Sequence, residues 1–264
     1  MNYPKRPFLL VLVASLFVNS CKNTNCNDPI AFNYDPEGTS ADNCIYSPKH
    51  VDFTVTSVFS GNNFELGDTL LLADGRKITL SYYGVYLSNL SFKEASGDAR
   101  QWSDNVVLVR NRVEDTSTTY LNKSQITALK FDVGVDSSIY KDDPSTLPSN
   151  DPLSHQIPVM FWTWASGYRY ISVEGMVDTS TVKDGTGWRE FAFHSGLPSN
   201  LHSIELTTPD SYSTASHIQV SITMNIAALL EGLDFENPPF IIHNGNEPKT
   251  IAIANNSVNA FTLD

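Results

Sequence analysis

The sequence is poor in thiols and in positive charge, and it contains no apolar run long enough to cross a membrane. Three cysteines in 264 residues cannot make a disulfide-dense scaffold. Only 17 lysines and arginines stand against 29 aspartates and glutamates, for a formal net charge of -12. Phosphate binding needs clustered basic residues and none is present, which disfavours nucleic acid as a partner and also a basic helix lying on a membrane surface. Also missing are a His-Glu-x-x-His helix, a Cys/His metal knuckle, a Gly-x-Ser-x-Gly elbow, a Gly-rich phosphate loop and a dinucleotide fingerprint. The expectation is therefore a protein without catalytic activity.

What is present begins with an export signal. Lys5 and Arg6 precede an apolar run from Pro7 to Val18, which ends at Val18-Asn19-Ser20-Cys21. The run is too short to span a bilayer and reads as a lipoprotein signal over residues 1–20, with Cys21 as the acylated first residue of the mature chain. A plain secretory signal is the alternative, because Asn19 departs from the usual lipobox residue. The expected location is the periplasm or outer membrane, held by a lipid anchor, with the cell surface left open. Removing residues 1–20 leaves 15 basic against 29 acidic residues, an acidic exterior suited to a soluble exported domain.

With Cys21 used by the lipid, Cys26 and Cys44 remain as an even pair in an oxidising compartment, which predicts a disulfide between them. The loop they enclose is dense in turn residues and cannot form a core, so residues 21–49 read as a stapled segment and linker. This segment resembles a short cysteine-bounded module of exported proteins from Bacteroidetes-type bacteria. Asp28, Asp35, Glu37 and Asp42 are hard oxygen ligands that suit calcium, or simply the acidic turn residues of a small loop.

Residues 50–264 are the right length for one domain, and their apolar pattern has period two. Val51, Phe53 and Val55 alternate with polar residues, Asp74-Gly75 joins two strand-like runs, and Ile218 to Ile226 alternates throughout. Gly84 reads as a bulge. Two stretches look helical, from Ile226 to Gly232 and from Thr250 to Ala260. The fold class expected is all-β, an antiparallel sandwich of Greek-key or Ig-like type with one or two short helices.

The run Met160 to Gly175 packs Trp162, Trp164, Tyr168 and Tyr170 into one strand-like stretch. Trp188 to Gly196 is a second such run, placed to pair with it across the loop holding Asp184, Gly185 and Gly187. On that strand His194 faces away from Phe191 and Phe193, towards a surface or cleft. The irregular piece from Asp136 to Pro158 brings His155 to the start of the aromatic run. Imidazoles beside an aromatic shell suit a soft metal such as copper. A glycan-binding or adhesion surface, or a purely structural core, would use the same aromatics.

The aromatic run, together with Phe191-Ala-Phe-His-Ser-Gly196, resembles the MbnP-like family, periplasmic copper-binding proteins first known as partners of methanobactin systems. Tyr82 to Phe92, Phe131 to Asp136 and Asp151-Pro-Leu153 also fit, so the resemblance spans most of residues 50–264. It implies a β-sandwich holding one copper ion through histidines, with His194 at the Phe-His-x-Gly element and His155 as the upstream histidine. It further implies that Trp162 or Trp164 is oxidised to kynurenine by a partner di-haem peroxidase of the MauG type.

Overall fold

The computed structural model describes residues 25–29, 31–40, 43–45, 49–95, 97, 99–101, 106–110, 113–119, 126–136, 138, 143–163, 167–210, 212 and 216–264. The signal, Cys21, Asp42 and Trp164 lie outside the described residues. The chain divides into two compact units, Met1–Tyr46 and Ser47–Asp264.

In the first unit Cys26 and Cys44 are joined by the expected disulfide. The enclosed loop is built from local turns: the side chain of Asn33 accepts from the Ile45 N–H and donates to the Asn43 carbonyl. Asp35 accepts from the Glu37 N–H through one oxygen and from Asn25 Nδ2 through the other. Its carboxylate thus organises turns, and no group of three metal-ligating side chains is preassembled among the described residues.

The second unit is built from strands β1 (Lys49–Val58), β2 (Leu70–Leu71), β3 (Lys77–Glu94), β4 (Ala99–Gln101), β5 (Val107–Val109), β6 (Val113–Thr119), β7 (Ile126–Val133), β8 (Phe161–Thr163), β9 (Gly167–Asp178), β10 (Trp188–Gly196), β11 (His202–Thr207), β12 (His217–Asn225), β13 (Ile241–Ile242) and β14 (Phe261–Leu263). Four of them form a sheet in the order β14-β12-β1-β6. The larger sheet runs β11-β7-β3-β9-β10-β13, with β2, β4 and β5 paired to β3 and β8 paired to β9. Val51, Phe53 and Val55 of β1, with Ile218, Val220 and Ile222 of β12, join Phe131, Phe191 and Phe193 of the larger sheet in one core. Period-two patterning produces this arrangement, because alternate residues of each strand fall on the buried face. The two short helices are α1 (Ile226–Leu229), capped by the Asn225 side chain, and α2 (Pro248–Asn256), with proline in its first turn.

Three details differ from the sequence expectation. β1 with β12, and β10 with β13, pair in parallel, so neither sheet is wholly antiparallel. The aromatic run is not one strand: β8 folds back on β9, with Phe161 opposite Tyr168. The register shifts on β3 lie between Leu80 and Tyr82, Ser88 and Ser91, and Lys93 and Glu94, not at Gly84. Glycine is needed at 84 for another reason, since a Cβ there would stand 2.6 Å from Tyr82 Oη and 3.1 Å from Met160 Sδ.

The turn between β9 and β10 is organised by Asp178, which is fully buried. Its Oδ1 accepts from the Ser180 and Gly187 N–H groups, and its Oδ2 from the Gly185 N–H. Burial opposes the charge, yet these donors win and hold the carboxyl down at about 2. The folded value lies below the unfolded one, so this stability is present above about 4 and lost as pH falls through about 2. In thermal melts across that window, the wild type should lose stability progressively and Asp178→Asn, already less stable at neutral pH, should show a shallower loss. Parallel pH profiles for the two proteins would remove Asp178 from the acid response.

Candidate metal centre

The pairing of β9 with β10 sets His194 opposite Ser172, and Ala192 opposite Glu174. Phe191 and Phe193 fill the core, and His194 points to the other face of the strand, as the alternation requires. That face is not open, however: His194 is only 2% exposed. The cover is the segment around β13, whose Ile241 and Ile242 pair in parallel with Ala192 and Phe193. One step further along, His243 comes alongside His194.

The two imidazoles meet edge to edge. His243 Nδ1 lies 2.7 Å from His194 Nδ1, and the ring centroids are 4.5 Å apart at 37°. On the far side of the His194 ring, Nε2 lies 2.7 Å from Glu174 Oε1. A carboxylate accepts but does not donate, so the proton of His194 belongs on Nε2 and a lone pair on Nδ1 faces His243. The hydrogen bond from His194 lowers the pKa of Glu174, and burial lowers that of His194 despite the carboxylate beside it. The arrangement that results is a neutral imidazole on an ionised glutamate.

The His243 segment is clamped in place. Asn200 Nδ2 donates to Ser195 Oγ, to the Gly196 carbonyl and to the Gly245 carbonyl. Thr250 Oγ1 donates to the Asn244 carbonyl. A Cβ on Gly245 would stand 2.6 Å from the Gly196 carbonyl oxygen, so the two backbones approach as closely as they can.

Trp162 closes one side of this region. Its six-membered ring lies over Gly196, where a Cβ would stand 2.6 Å from Cζ3 and 2.8 Å from Cη2. Its indole Nε1 is buried and has no hydrogen-bond partner among the described residues. Tyr82, registered opposite Glu174 on β3, carries a buried hydroxyl that faces Arg110. Burial pushes the Tyr82 hydroxyl up to about 12, so it stays protonated. Beside it opens a cleft of about 660 Å³ lined by Phe64, Tyr83, Arg110, Ile157 and Pro158.

The structure thus gathers His194 and Trp162 at one end of β10, and adds His243 and Glu174, which the sequence did not single out. His155 is exposed, and no hydrogen bond or ring contact joins it to His194 or His243 among the described residues. The loop carrying His155 is tied to the sheet through its backbone: Tyr86 Oη donates to the Pro152 carbonyl and Tyr168 Oη to the Leu153 carbonyl. Trp164 lies outside the described residues. The one sequence hint of His243 was an apolar pair, Ile241-Ile242, directly before it.

A family model described as MbnP matches residues 48–244, a span that includes both histidines of the pair. Among solved structures, the chain is similar to MbnP from Methylosinus trichosporium, with a TM-score of 0.54 and 14% identity, covering 78% of this chain and 87% of that one. That likeness speaks for the fold alone. No curated protein matches the chain.

Proposed function

The chain belongs to the MbnP family, and from that premise we propose that it is an exported copper-binding protein whose single ion is held by His194 and His243. The observation carrying this reading is the approach of two Nδ1 atoms to 2.7 Å, with Glu174 holding the opposite nitrogen of His194. A carboxylate on the outer nitrogen of a ligating histidine fixes the tautomer and raises the basicity of the free nitrogen. The residues fit the group: two imidazoles whose Nδ1 atoms converge suit copper, and Glu174 holds the outer nitrogen of one of them.

When bound, copper supplies a one-electron redox centre. The protein's own residues do the rest: Glu174 orients His194, Asn200 and Thr250 hold the His243 segment, and the burial of His194 keeps water away. The role assigned to the pair is binding. Residues 1–20 direct export, and a lipid on Cys21 holds the protein at the periplasmic side of a membrane.

Trp162 is the tryptophan this reading assigns to a di-haem peroxidase partner, because its ring lies over Gly196, two residues from His194. Kynurenine at that position offers an amine and a ketone as ligand atoms where an indole offers none. Fragment-ion mass spectrometry of protein made with and without the peroxidase should find the change at Trp162. A change at Trp164 instead would sink this assignment. Copper content after loading and extensive dialysis tests the reading as a whole: about one ion per chain is expected, and a protein that retains none is not a copper binder. Among the described residues of the second unit no aromatic side chain is largely exposed, which leaves a sugar-stacking platform without support.

A further inference from the structure

β1 and β12 create a second meeting of histidines, on the other sheet. Val51, Phe53, Ile218 and Val220 turn into the core, so His50, Asp52, His217 and Gln219 occupy the outer face. The two strands run parallel with His50 in register with His217 and Asp52 in register with Gln219. The ladder is secured at that end by the His50 N–H donating to the Ser216 carbonyl. Residues in register on neighbouring strands point the same way, a few ångströms apart. Two imidazoles and one carboxylate therefore share a single patch of sheet.

One edge of the patch is already drawn together. His217 Nε2 lies 2.7 Å from Asp52 Oδ2, although the side chains are 59% and 40% exposed. Two ligand atoms on one tetrahedral ion, each about 2.0–2.1 Å from it, stand roughly 3.3 Å apart. The hydrogen-bonded pair needs to open only slightly to admit an ion in place of the proton. His50, in register with His217, stands next to the pair as the third candidate donor, and the three are not preassembled as a ligand group among the described residues.

We propose that His50, Asp52 and His217 form a solvent-open site for a divalent transition ion, independent of the copper site at His194 and His243. Two imidazole nitrogens and a carboxylate oxygen are a borderline ligand set, which suits Zn(II) and, by the Irving–Williams order, Cu(II) more strongly still. Calcium and magnesium are disfavoured, because they require mainly oxygen ligands. The net charge of -12 raises the local concentration of such cations at the surface. Binding displaces the proton held between His217 and Asp52, so uptake of the ion releases a proton.

The test is a calorimetric titration of the untagged chain with Zn(II) alone, at a pH above 7. His50→Ala, His217→Ala and Asp52→Asn alter exposed side chains, and circular dichroism melts should match the wild type. Each is expected to weaken one Zn(II) equivalent by about tenfold or more, while His194→Ala leaves that equivalent in place. Unchanged Zn(II) binding in His50→Ala or His217→Ala overturns the site. So does loss of that equivalent in His194→Ala, which would assign the ion to the buried pair. Because the probe is zinc and the variants lie on another sheet, failure here leaves the copper reading standing, and the converse also holds.

Discussion

Copper loaded onto His194→Ala is expected to be lost on dialysis, while the wild type retains about one ion per chain. His194 is the only member of the pair that is buried, and it alone is fixed at both ring nitrogens, by Glu174 and by His243. Removing it leaves His243 as a lone exposed imidazole and Glu174 with only the longer hydrogen bond from the Ser172 hydroxyl. His243→Ala should have a similar effect, since one buried imidazole is not a closed site. Glu174→Gln keeps the shape but loses the charge behind His194, and should weaken copper by about 10–100-fold without abolishing it. His155→Ala is the decisive comparison, because that residue sits on an exposed loop beside Asp143. Copper affinity unchanged in His194→Ala, or lost in His155→Ala with His194→Ala intact, would refute the pair.

Gly175→Ala should be the most damaging single methyl addition in the larger sheet. Gly175 lies on β9 between Leu80 of β3 and Phe191 of β10, beside the register shift between Leu80 and Tyr82. A Cβ there would collide with the backbone carbonyl oxygen of Thr79, which cannot swing aside as a side chain could. Relief requires the central β3–β9 ladder to move. Overpacking of this kind costs about 3 kcal/mol, which for a domain of this size is a fall in melting temperature of roughly 10 °C. The neighbouring residue is Glu174, so copper affinity should fall in the same variant. Gly61→Ala is a useful control: its Cβ would meet nothing within 4 Å, and only its positive φ of 79° is strained, at about 1 kcal/mol. A melting temperature for Gly175→Ala close to that control would mean that the strands do not approach as described.

The framework was legible because its signals are local. Alternation along Ile218 to Ile226 describes a strand whatever its neighbours, and the Cys26 and Cys44 pair follows from cysteine count and compartment. His194 could be placed on the outward face of β10 for the same reason, since Phe191 and Phe193 announce the core face. Its burial could not be foreseen: it depends on β13, a strand of only two residues that shows no alternation of its own. The partner histidine lies 49 residues away along the chain, and parallel register alone sets it beside His194. The upstream loop was expected to deliver His155, yet its hydrogen bonds to Tyr86 and Tyr168 are made by backbone carbonyls, which no side-chain pattern reveals.

By itself, then, the sequence determined the β class, the stapled segment and the outward face of His194 on its strand. Only the tertiary structure decided that His243 and Glu174 lie against His194, and that His50 stands in register with His217 on the other sheet. The physical reason is the same in both places. Which face a side chain takes is a property of its own strand, repeating every second residue. Which other side chain it meets depends on strand order and register, and those are chosen by packing of the whole core.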